Sequence, residues 1–147
     1  MPRLLVIEDG TEYEEFARAF LSDYLIDTAH SAKEALAHLS EEPCDGLLVD
    51  LRFERSPAID LVGGVESTAR RRFGGDTHRA IRHLKEQQGT LVLGELRRAG
   101  HHQPAVFVHD FPPRRLANLR KLYGDVFAVA AFDAKAITDA LQGQDVL

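Results

Sequence analysis

Three carboxylates stand where they could do chemistry. Glu8 and Asp9 follow the apolar run Leu4-Leu5-Val6-Ile7, and Asp50 follows Leu47-Leu48-Val49, about forty residues later. Continuous apolar runs of this length, rich in branched residues, suit strands buried on both faces of a parallel sheet. An acid just past such a strand lies in the crevice beyond the strand ends, where open α/β sheets bind ligands. Carboxylates gathered there repel one another, so one of them must hold its proton or a cation must join them. A hard divalent ion is the usual partner of such oxygens.

The elements that must position these acids are legible in order. Thr11 opens a helical pattern with Phe16, Ala17, Phe20 and Leu21 on one face, and Glu14 completes the spacing of a capping box. That helix is expected to run to about Asp23. Tyr24 to Ala29 reads as a second strand, and Ser31 as the cap of a helix burying Ala32, Ala35, Leu36 and Leu39. With the strand of Asp50 the order becomes β-α-β-α-β, which implies a parallel sheet covered by helices on both sides.

Composition sets the outer bounds. The 147 residues are 44% hydrophobic, enough for one domain with a proper core, and one domain over 1–147 is expected. A formal charge of −5 and a pI near 5.8 argue against a nucleic-acid partner bound by general electrostatics. The single cysteine, Cys44, rules out an internal disulfide and reads as a packing thiol in a reducing compartment. No apolar run is long enough to span a bilayer, so a cytoplasmic protein without a membrane partner is expected.

At this point the pattern becomes specific. An acidic pair after the first strand, then helix, strand, helix and a lone Asp50 closing the third strand, resembles the receiver domain of two-component response regulators. Gly89 to Gly100 resembles that family's third helix, Pro104 to Val108 its fourth strand and Val126 to Val129 its fifth, with Phe132-Asp133 opening the last helix. The likeness covers 3–52 and 89–142. It implies a flavodoxin-like, doubly wound sheet of five parallel strands in the order 2-1-3-4-5, as a three-layer α/β/α sandwich. Asp50 would be the phosphoacceptor, attacking the phosphohistidine of a histidine kinase. Glu8, Asp9, Asp50 and the backbone carbonyl of Arg52 would hold Mg²⁺, and the catalysis would be positioning and charge neutralisation.

The departures from the family weigh as much. Where its fourth strand ends in Thr or Ser this chain has His109, and where its fifth ends in Lys it has Ala130 followed by Ala131. The hydroxyl and the ammonium that answer the phosphoryl group are both missing. His109 either supplies a protonated imidazole in their place, with Asp110 beside it, or simply ends a strand at the surface. Lys135 follows Asp133, a helix cap, and so belongs in a first helical turn facing solvent. Pro112-Pro113 alters the approach to the fourth helix, on the face through which receivers signal.

The third departure is an insertion over 53–88. Residues 53–75 show no steady period, contain Pro57, Gly63-Gly64 and Gly74-Gly75, and read as a long loop. They carry Arg70-Arg71-Arg72, a run suited either to solvent or to an anion or acidic partner. From Asp76 a helix with Ala80, Ile81 and Leu84 on one face should extend the third helix toward the Asp50 end of the sheet, unless Gly89 breaks it. His78, His83, His101 and His102 lack the spacing of a transition-metal site.

Three functions fit. The first is an atypical single-domain receiver, a pseudo-receiver acting through protein interaction with a kinase or downstream signalling protein. The second is a receiver phosphorylated on Asp50 with Mg²⁺, in which His109 or an arginine of the insertion supplies the lost cation. The third is a small metal-dependent phosphatase or hydrolase, which the absence of a placed nucleophile disfavours. Enzymatic turnover is not the leading expectation. No output domain is expected after the last helix, and a homodimer is a further possibility that the resemblance raises.

Overall fold

The computed structural model describes residues 1–143; the last part of the expected 1–147 domain lies outside them. Five parallel strands, β1 (Arg3–Ile7), β2 (Leu25–Ala29), β3 (Gly46–Val49), β4 (Ala105–Val108) and β5 (Val126–Val129), form one sheet in the order β2-β1-β3-β4-β5. This is the expected flavodoxin-like order. The central strands β1, β3 and β4 are buried on both faces, which is why their sequences are apolar without alternation.

Alternate residues of each strand supply two cores. Leu5, Ile7, Leu47, Val49 and Phe107 face α2 (Ala32–Glu41), α4 (Thr77–Arg98) and α5 (Pro113–Tyr123). Leu4, Val6, Leu48 and Val106 face α1 (Glu12–Phe20) and α6 (Ala134–Leu141). Several caps form as the sequence indicates: the Ser31 hydroxyl accepts from Glu34 N–H, Asp76 from Arg79 N–H and Asp133 from Ala136 N–H. The two prolines open α5, with Pro113 at its first position, where the missing N–H costs nothing. Cys44 packs half-buried against the core, and burial pushes its thiol up to about 11.

Three expectations need correction. The helix opened by Thr11 ends at Phe20 rather than near Asp23, and Phe20 itself is 64% exposed. Its capping box does not form, because a different side chain takes the first-turn amides, as described below. The segment 53–75 is not a continuous loop. It holds a 3₁₀ turn (Ala58–Asp60) and a helix α3 (Val65–Arg72) with Thr68 and Ala69 buried against α4. Only two residues of α3 are buried, and a helix this short and polar carries no readable period.

Gly89 does not break α4. The helix runs unbroken from Thr77 to Arg98, and Gly89 is where the chain leaving β3 crosses it. The Lys85 carbonyl and the Gly89 amide, the two ends of one helical rung, bond to Phe53 N–H (2.9 Å) and to Leu51 O (2.8 Å). A Cβ on Gly89 would overlap the Asp50 carbonyl and crowd Leu51 Cα. The segment carrying Asp50 is therefore laid against the helix backbone itself. Among the described residues no helix is long and apolar enough to cross a membrane.

Candidate functional site

The parallel register brings the acids to one edge. Ile7 pairs with Val49, and Val49 with Phe107, so Glu8, Asp50 and Val108 follow side by side at the carboxyl ends of β1, β3 and β4. Asp9 is one residue further. His109 and Ala130 come directly after β4 and β5. The backbone thus assembles the expected edge, but the side chains diverge from it.

Glu8 turns away from the cleft. Its buried carboxylate accepts from Tyr13 N–H (3.0 Å) and Glu14 N–H (2.8 Å), and so caps α1 in place of Thr11. Burial raises its pKa, and the two backbone amides pull it back down. One Asp9 oxygen accepts from Arg55 N–H (2.5 Å), Ser56 N–H (3.0 Å) and the Ser56 hydroxyl (3.4 Å). The insertion thus holds the carboxylate that the resemblance assigns to a metal.

Asp50 remains beside a cleft of about 290 Å³ lined also by Asp9, Glu12, Tyr13, Arg52, Glu54 and Arg55. Its Oδ1 accepts from Arg52 N–H at 3.3 Å, a local turn contact. Its pKa is pushed up to about 6, first by burial, with smaller contributions from Asp9 and Glu8 against the Arg52 bond. The Tyr13 hydroxyl lies against it and donates to Val108 O at 3.3 Å, bridging α1 to β4 across the end of β3. Tyr13 is held by Phe132, ring centroids 4.9 Å apart, so an aromatic contact fills the turn that follows Ala130.

Two arginines, Arg52 and Arg55, line this mouth, and Arg55 is the one paired with an acid there. Its guanidinium lies over Gly10 and binds both oxygens of Glu12, at 2.7 and 3.3 Å. Glu12 is held near 2 by that pair. His109 does not take the cationic role: burial, then Arg52 and Arg115, lower its pKa, and its ring packs edge-on against Phe111 at 4.7 Å. Lys135 faces away, paired with Asp139 at 2.9 Å on the outside of α6. Arg70, Arg71 and Arg72 form the last turn of α3 and do not line the Asp50 cleft.

The Mg²⁺ implied by the resemblance needs Asp9, Asp50 and the Arg52 carbonyl to converge. Among the described residues no three acidic, histidine or cysteine side chains gather closely enough to hold a metal. Glu8 is spent on a helix, and one oxygen of Asp9 on the peptide N–H groups of Arg55 and Ser56. As arranged, this donor set does not fit a divalent ion.

Sequence reasoning missed Tyr13, Arg55 and Ser56. Tyr13 lies in the first turn of α1, one turn before the Phe16-Ala17 face that the sequence marks as apolar. Arg55 and Ser56 lie 46 and 47 residues from Asp9 in an aperiodic stretch. The one available signal was charge: Arg55 is a basic residue soon after a carboxylate that lacks its family cation.

No protein-family model and no curated protein matches the sequence. Solved structures do match the fold. The receiver domain of Francisella response regulator 1452 superposes with a TM-score of 0.63 at 14% identity, over 97% of this chain and 94% of that one. A CheY-like receiver domain protein from Methanospirillum hungatei JF-1 gives 0.62 at 12%, over 97% and 92%. NtrX from Brucella abortus gives 0.62 at 17%, over 97% of this chain but 27% of that longer one, so the chain spans about a quarter of that protein's length. The fold is that of CheY-like receiver domains.

Proposed function

We propose that this chain is an atypical receiver that works as a protein-interaction module in signalling, with Asp50 an inherited phosphoacceptor that no longer drives a switch. One observation carries the reading. The insertion bonds Asp9 through two peptide N–H groups and sets Arg55 over the same mouth, while Ala130 stands where a lysine would meet a phosphoryl group. The interactions that a bound phosphoryl group would recruit are either made internally or lost. The partner in this reading is a kinase or a downstream signalling protein that recognises the fixed surface.

A second reading has its own support. The cleft beside Asp50 is open, and Arg55 brings a guanidinium to its edge that could stand in for the lost ammonium. In that case Asp50 attacks phosphorus, the phosphoryl donor's leaving group departs in line, and Arg55 releases Glu12 to meet the incoming charge.

Incubation with phosphoramidate and Mg²⁺, followed by intact mass, separates the two. The interaction module predicts no gain in mass. A stoichiometric gain of one phosphoryl group that Asp50→Asn abolishes would overturn it in favour of the phosphoacceptor.

A further inference from the structure

The insertion builds a second concave site, remote from Asp50 in chemistry and composition. It lies between α3, the amino-terminal half of α4 and the start of α5, with a volume of about 500 Å³. Arg71 and Arg72 reach it from α3, His83 and Gln87 from α4, and Arg115 from α5, with Thr68 at its floor. No acidic side chain lines it, in a protein whose net charge is −5.

The arginines there lack the counterions expected of them. The ion pairs of the described residues all lie elsewhere and involve Arg3, Arg18, Arg55, Arg98 and Lys135. Arg115 is only partly exposed, stacks its guanidinium over the Phe111 ring at 4.9 Å, and donates through Nη2 to Gln87 Oε1. That leaves most of its fork unused. Arg71 donates Nε to its own helix at Ser67 O, 3.3 Å, with both Nη groups left over. Arg72 is close enough to His83 to lower its proton affinity, second to burial, and Glu86 is the one acid that opposes it. Arg115 is thus a partly buried cation with no acidic partner, a position that an anion would complete, and the exposed Arg71 and Arg72 bring further unpaired guanidinium groups to the same cleft.

We propose that this cleft binds a small organic phosphate carrying at least two negative charges. Guanidinium forks match phosphate oxygens in bidentate geometry, and here they approach from helices more than forty residues apart, which defines a point rather than a stripe. The volume is that of a small-molecule site of roughly 300–1,000 Å³, larger than a bare oxyanion needs. Thr68 and Gln87 add neutral polar groups for the organic part. Arg71, Arg72, His83 and Gln87 come from the 53–88 segment and Arg115 from α5, so the site forms where that segment meets the rest of the fold. It is independent of the proposal for Asp50.

The test is calorimetric titration of the full chain with pyrophosphate and with ADP in EDTA, paired with amide chemical-shift mapping. Saturable binding is expected, with shifts at Thr68, Gln87 and Arg115. Arg72→Gln and Arg115→Gln should each weaken it about tenfold, and Asp50→Asn should leave it unchanged. Arg72 is exposed, so its variant tests the site without risk to the fold. Several results would overturn the proposal: no saturation by about 10 mM, shifts confined to the Asp50 cleft, or full binding in the Arg72→Gln, Arg115→Gln double variant. Tighter binding of hexaglutamate than of pyrophosphate would do the same and assign the face to an acidic protein segment.

Discussion

At the residue scale, Asp50 is costly where it stands. Its folded pKa of about 6 lies above the ordinary 3.8 because burial disfavours the charged form. The sign follows: the protonated carboxyl carries no penalty below about pH 4, and stability is lost as pH rises through 6. At neutral pH the loss is roughly 1–2 kcal/mol, once water at the open side of the cleft is allowed for. Asp50→Asn keeps the acceptor for Arg52 N–H and removes the charge. Thermal melts in EDTA should therefore show the variant more stable than the parent at pH 7.5, with the difference vanishing near pH 4; equal melting at both pH values would contradict the buried-charge account. Glu8 predicts the opposite. Glu8→Ala strands two amides at the start of α1, and the cost should be about 2 kcal/mol in a urea titration at pH 7. Were Glu8 a free site residue, its removal would relieve repulsion and stabilise.

At the scale of elements, α4 explains why the insertion does not simply dangle. Two of its consecutive residues fasten the incoming chain. Gln88, buried to 1% exposure, bonds both the amide and the carbonyl of Val62, at 2.6 and 3.2 Å. Gly89 has no side chain because the Asp50–Leu51 backbone occupies that space. Gly89→Ala would gain helix propensity of about 1 kcal/mol in an isolated helix. Here it must push the β3 exit away, and a net loss of about 2–3 kcal/mol in chemical unfolding is expected, since the obstacle is backbone that cannot swing aside. A stabilised variant would mean the crossing is looser than drawn. This crossing was not readable in the sequence, where Gly89 has the look of a breaker; a close backbone approach leaves no trace but the glycine. The central strands were readable to within a residue or two, because burial on both faces forces continuous apolar runs. The Glu8 cap was hidden by the better-known capping residue Thr11 three positions later.

At the scale of the whole molecule, the chain is a receiver sheet with a second body clipped to one helix, and the two should differ in stability. The sheet's central strands are wholly buried, and what holds them is the two apolar cores. The insertion is held by Phe53, the Gln88 clamp, α3 against α4, and the polar latch of Arg55 and Ser56 on Asp9 and Glu12. The Arg55–Glu12 pair of the latch is exposed and ionic, so salt weakens it, whereas the cores are indifferent to salt. This is also why the site was only half legible: its strand ends follow from hydrophobic pattern, but which side chains fill it depends on a loop docking through contacts of no sequence period. Native-state hydrogen exchange makes the distinction measurable. Amides of 54–76 should exchange about a hundredfold faster than those of β1, β3 and β4, through an opening that leaves the sheet intact. Arg55→Ala or high salt should speed the first group and leave the second unchanged. If instead all the amides slowed and quickened together, the insertion would be part of the sheet's own cooperative unit. Breaking the contacts of the Asp9 Oδ2 with Arg55 and Ser56 would then cost as much as unfolding the sheet, and the insertion would count as core rather than as an attached segment.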